Sequence, residues 1–140
     1  MARHLSRLVN GTEKRYKFKV SGRSDSDYAT DPESRRSVSG TRVSVNDAPV
    51  MWRSSTQKTV MLSVTEAEAC AAVTCAQDMM YAKNIIESLE LEVELPMVLE
   101  LDNRGAVDLI NSWSVGGRTR HTGVRLNYLR ELKEQGVMVF

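Results

Sequence analysis

The chain has 140 residues, 26% charged and 41% hydrophobic, with a formal net charge of +1, so it reads as one soluble-type domain able to bury a core without staples. No apolar run is long enough to span a membrane, and the basic start MARHLSRLVNGTEKRYK has no apolar centre, so it reads as no secretory signal. Two cysteines, Cys70 and Cys75, exclude a disulfide framework; five positions on one expected helix turn ~500°, so they read as buried, reduced thiols of an intracellular protein.

In chain order, residues 1–12 read as a short helix stopped by Asn10-Gly11. Residues 16–25, YKFKVSGRSD, read as a strand that runs into a polar loop, SDYATDPESRR. SVSGTRVSV (37–45) and PVMWRSS (49–55) flank Asn46-Asp47-Ala48 and predict a hairpin. The longest helix is expected from Ser63 to about Leu91. It opens on Ser63-Val-Thr-Glu66, the Ser-x-x-Glu pattern in which side chains satisfy first-turn amides. Ala71, Cys75, Met79, Ala82, Ile86 and Leu89 then recur with helical period, as a buried stripe. Carried back, the stripe reaches Glu68, whereas Glu66 falls in the row of Cys70, Val73 and Gln77. A carboxylate at the head of a core stripe needs partners. MVLEL after Pro96 reads as a strand ending at Asp102-Asn103, and RGAVDLINSW as a short helix. SVGG is a loop, residues 118–135 an amphipathic helix stopped by Gly136, and VMVF the start of a strand. The two ends of this region differ in charge: residues 83–102 are mainly acidic, and residues 116–133 are basic, through Arg118, Arg120, Arg125, Arg130 and Lys133. Such a stripe suits phosphates, or simply solvent. Trp52 and Trp113 read as packing residues, His4 as solvated and His121 as bonded to local backbone. The order β, β-hairpin, α, β, α, α, β predicts an α/β fold with a mixed sheet.

Three acids carry the chemistry: Asp25, Glu68 and Asp102, at a strand end, a helix start and a strand end. Singly, each has an ordinary structural use: Asp25 or Asp27 as a loop cap, Glu68 as a first-turn acid, Asp102-Asn103 as a helix cap. Gathered together they would repel, by about 4 kcal/mol per pair at ~4 Å and an effective dielectric of ~20. Such a set relaxes by raising a pKa or by holding hard divalent cations. No Gly-rich phosphate loop, Cys/His zinc set or nucleophile elbow competes with it.

Four blocks in register, SDSDYATDPESRRSVSG, MWRSSTQKTVMLSVTEAEACAA, LELDNRGAVDL and GGRTRHTGVRLNYLREL, resemble the ribonuclease H domain of Ty1/copia-type retrotransposon Pol polyproteins. The resemblance covers residues 16–140, and residues 1–15 resemble the tail of the preceding reverse-transcriptase region. It implies a ribonuclease H-like α/β fold: a five-stranded mixed sheet flanked by helices, with the last strand and final helix incomplete here. It implies two-metal hydrolysis of RNA in an RNA–DNA hybrid, with Mg²⁺ (or Mn²⁺ as substitute) held by an Asp-Glu-Asp-Asp set. By motif the ligands are Asp25 (Asp27 the fallback), Glu68 and Asp102. Arg35, Arg36, Arg118 and Arg120 are the implied nucleic-acid contacts. The upstream reverse-transcriptase domain is the implied partner, and a cytoplasmic virus-like particle the implied location. Two departures stand out: Gly123 replaces an acid usual after the block's histidine, and the fourth ligand falls beyond Phe140. Residues 1–140 alone are therefore expected to hydrolyse weakly. A non-catalytic, nucleic-acid-binding remnant is the alternative. An integrase-type member of the superfold is disfavoured, because its Glu follows both Asp residues.

Overall fold

The computed structural model describes residues 16–28, 32–58, 60, 63–112 and 120–140. The expected helix of residues 1–12, the 114–117 loop, Trp113 and Arg118 lie outside the described residues. The elements are β1 (Lys17–Phe18), β2 (Val20–Asp27), β3 (Val38–Val45), β4 (Ala48–Thr56), α1 (Val64–Ser88), β5 (Glu92–Val93), β6 (Met97–Leu101), α2 (Arg104–Ser112), α3 (Arg120–Glu134) and β7 (Met138–Val139). This is the expected α/β order, with one short pair added. β1 and β5 form a separate two-stranded parallel sheet, while the main sheet runs β4-β3-β2-β6-β7. β3 runs antiparallel to both of its neighbours, β2 and β4, and β6 and β7 join in parallel.

The strand expected over 16–25 is thus broken and shifted. It interrupts at Lys19, whose N–H donates to Asn46 Oδ1 at 2.9 Å, and β2 continues past Asp25 to Asp27. The β3–β4 turn places Asn46 and Asp47 at positive φ (51° and 68°), the conformation that tight hairpins require and that Asn and Asp tolerate. Asn46 N–H also donates to Lys19 O at 2.8 Å, so this turn locks the entry to β2.

Helix α1 is capped as its sequence predicts: Ser63 Oγ accepts from Glu66 N–H at 3.2 Å. Ala71, Cys75, Met79 and Ala82 are buried as expected, but Leu89 is 61% exposed. Every residue from Ala67 to Val73 is buried as well, because α1 packs on the sheet and also against α2 and α3. Small residues permit that close approach on several sides. The main core joins Val20, Val43, Leu99 and Met97 of the sheet to Cys75 and Met79 of α1, Ile110 of α2, Leu126 and Leu129 of α3 and Met138 of β7. Both cysteines are buried thiols outside any disulfide. Burial, and next the charge of Asp78, push the Cys75 thiol up to about 12. Trp52 departs from its expected packing role; it is 74% exposed, because β4 is an edge strand of the sheet.

Candidate metal centre

The sheet register brings two of the three acids to one edge. Ser24 of β2 pairs with Leu101 of the parallel strand β6, so Asp25 and Asp102, each one residue further on, stand at neighbouring positions. The third acid arrives from above. Glu68 sits in the first turns of α1, is only 4% exposed, and accepts the Ser26 N–H on Oε1 at 3.1 Å. The same amide donates to Asp25 Oδ1 at 2.8 Å. One backbone N–H therefore ties Asp25 and Glu68 together. Asn103, not Asp102, caps α2: its Oδ1 accepts from Ala106 N–H at 3.0 Å. That leaves the Asp102 carboxylate available to the edge.

Electrostatics follow from this placement. Burial, then the charge of Asp25, raise the Glu68 carboxyl from 4.5 to about 7; the Ser26 amide opposes the rise, and Asp102 adds a smaller push. Its Oε2 is buried and has no hydrogen-bond partner among the described residues. A buried, unpartnered carboxylate oxygen beside two further carboxylates suits a hard cation. The arrangement is not closed, however. Among the described residues no three His, Cys, Asp or Glu side chains are gathered closely enough to hold a metal ion as they stand. Asp102 is turned outward by Arg23, whose Nη2 lies 3.0 Å from Oδ1 and 3.4 Å from Oδ2. The oxygen donors suit a hard divalent cation in chemistry, with Asp102 needing to turn inward.

Asp27, the fallback ligand, is exposed at the end of β2. Arg35 and Arg36 are exposed in the connection after β2, which leaves the sheet at the edge carrying Asp25; Arg35 has φ 58°. Arg120 opens α3, but its side chain lies outside the described residues, as does that of His121.

Two residues here carry no signal in the sequence. One is Arg23. The other is Gln57, 8% exposed, just after β4. Its Nε2 donates to Ser39 Oγ at 2.8 Å and to Ala67 O at 2.9 Å, and its N–H donates to Ser37 O at 2.7 Å. Gln57 thus clamps β3 to the residue preceding Glu68. Only a buried polar side chain between two elements, which local spacing does not reveal, could have flagged it. Gln57→Leu removes both side-chain bonds and leaves the buried Ser39 hydroxyl without its Gln57 donor, so it is expected to lower unfolding free energy by roughly 2 kcal/mol. Urea titration should show a lower midpoint with an unchanged slope.

No protein-family profile matches the chain. It is 33% identical over 113 residues to the retrovirus-related Pol polyprotein from transposon TNT 1-94 of Nicotiana tabacum, covering 81% of this chain and 8% of that protein. It is 28% identical over 115 residues to the Pol polyprotein from transposon RE1 of Arabidopsis thaliana, covering 82% of this chain and again 8% of the relative. The fold is similar to LC11-RNase H1, solved in complex with an RNA/DNA hybrid: TM-score 0.61, 13% identity, 87% of this chain and 83% of that one. The chain belongs with the Pol polyproteins of Ty1/copia-type transposons, over a stretch that has the ribonuclease H-like fold.

Proposed function

We propose that this domain hydrolyses the RNA strand of RNA–DNA hybrids with divalent metal, as the ribonuclease H unit of a transposon Pol polyprotein. The observation that carries the reading is the unpartnered, buried Oε2 of Glu68 within reach of the charges of Asp25 and Asp102. When bound, Mg²⁺ or Mn²⁺ supplies a hydroxide at neutral pH and charge stabilisation for the leaving oxygen. Asp25, Glu68 and Asp102 would hold it. The Ser26 amide, bonded to both Asp25 and Glu68, fixes two of these carboxylates relative to the strand. Arg35 and Arg36, exposed, would meet backbone phosphates, which position a hybrid without reading its sequence. The LC11-RNase H1 complex with a hybrid supports the substrate class, and the Pol relatives support a reverse-transcriptase domain of the same polyprotein as partner.

A labelled hybrid incubated with Mn²⁺ should be shortened in its RNA strand only, and not at all by Asp25→Asn. Cleavage without metal, or undiminished in that variant, counts against the reading. The second reading, a non-catalytic hybrid binder, is favoured by the Arg23–Asp102 pair. It requires hybrid binding that is indifferent to Mn²⁺ and to loss of Asp25.

A further inference from the structure

Arg23 lies at the centre of a row of facing residues. Across β3 it faces Arg42, and across β6 it faces Glu100. Arg23, Arg42, Glu100 and Asp47 line one shallow pocket of about 180 Å³ on this face of the sheet. The acid directly opposite is Glu100, yet the guanidinium bonds Asp102, 3.0 Å away. Both side chains are about half exposed, 51% and 58%, so the pair is exchangeable. The nearby like charge of Arg42 pushes Arg23 toward the edge, and the uncompensated carboxylates there pull it the same way. A divalent cation entering between Asp25, Glu68 and Asp102 removes that pull and adds repulsion, while Glu100 offers a second partner on the same face.

We propose that Arg23 is a resident counter-ion of the carboxylate edge, holding Asp102 outward until a divalent cation displaces it toward Glu100. Arg23 is thereby a positioning residue that sets metal affinity. The inference rests on the metal reading above and deepens it. It also accounts for the absence of a closed three-carboxylate set among the described residues.

The test is Mn²⁺ binding, read from the loss of the free Mn²⁺ electron paramagnetic resonance signal in 0.1 M KCl, for wild type, Arg23→Gln, Glu100→Gln and the double variant. Arg23→Gln should bind Mn²⁺ about two- to fivefold more tightly, the range an exposed ion pair supports. Glu100→Gln should weaken binding in the wild-type background by more than it does beside Arg23→Gln, since only Arg23 needs the second partner. Unchanged or weaker binding by Arg23→Gln overturns the proposal and leaves the metal reading standing. An equal Glu100→Gln effect in both backgrounds also overturns it. If neither wild type nor Arg23→Gln binds Mn²⁺, both the proposal and the metal reading fall.

Discussion

Glu68→Gln is expected to stabilise the metal-free domain at pH 8 while weakening Mn²⁺ binding by tenfold or more. The opposite signs come from one cause. Glu68 binds its proton more tightly folded, at about 7, than at its ordinary value of 4.5. Its contribution to stability is therefore fully present below pH 4.5 and is lost as pH rises through about 7. At ~1.4 kcal/mol per unit of pKa, the loss approaches roughly 3 kcal/mol by pH 8. Gln has no such slope. Its carbonyl oxygen can still accept the Ser26 N–H that Glu68 Oε1 accepts, and its amide can donate toward Asp25. Urea unfolding in EDTA should thus show wild type losing stability between pH 5 and 8 while the variant stays nearly level. Adding Mn²⁺ at pH 8 should restore wild type and leave Glu68→Gln unmoved. Wild-type Mn²⁺ affinity should itself climb from pH 6 to 8 as the competing proton leaves. Glu66→Gln is the matched control, expected to alter Mn²⁺ affinity less than twofold. Parallel pH profiles for wild type and Glu68→Gln would show that burial does not govern this carboxyl.

Glu68 was legible because a 25-residue helix repeats its pattern often enough to show a face, and the stripe of Ala71, Cys75, Met79 and Ala82 points back to it. Asp25 was less so. The helix-facing positions of β2 are Gly22, Ser24 and Ser26, all buried, so no apolar alternation marks where that strand runs or stops. Asp25 therefore read as a strand end when it lies inside β2. The β1–β5 pair has two residues per strand, too few for any period, and its partners are distant in the chain. Trp52 read as a packing residue, but its side chain says nothing of whether its strand ends up at an edge. The Arg23–Asp102 bond spans 79 positions, and the Gln57 clamp joins three elements. Contacts of that kind exist only once the topology is set. The fold and the acids follow from local pattern and family blocks; what tunes the acids follows from strand order.

The largest loss of stability is expected at Gly22, where no charge is involved. Gly22 pairs with Val43 on one side and Leu99 on the other, both fully buried, and α1 passes directly over it. A Cβ there would overlap Met79 Sδ and stand 2.8 Å from Cys75 Sγ, and neither side chain has any exposed surface through which to withdraw. Gly22→Ala should cost about 2–3 kcal/mol as overpacking. Gly22→Val should cost more, on the order of half of a typical 5–15 kcal/mol domain stability, and yield poorly soluble protein. Relief is specific. Met79→Ala alone should cost ~2–5 kcal/mol as a cavity, but in the Gly22→Ala background that cost should fall by ~1 kcal/mol or more, because the added methyl fills part of the space. Urea unfolding of the two single variants and the double variant measures the coupling directly; costs additive within ~0.5 kcal/mol would mean that α1 does not lie this close to β2. The consequence reaches the site. Glu68 is held over β2 by the same helix that Gly22 admits, and its bond to Ser26 N–H spans 3.1 Å. A methyl that lifts α1 by a few tenths of an ångström lengthens that bond, so Gly22→Ala should also bind Mn²⁺ more weakly, and Met79→Ala should recover part of the affinity together with the fold.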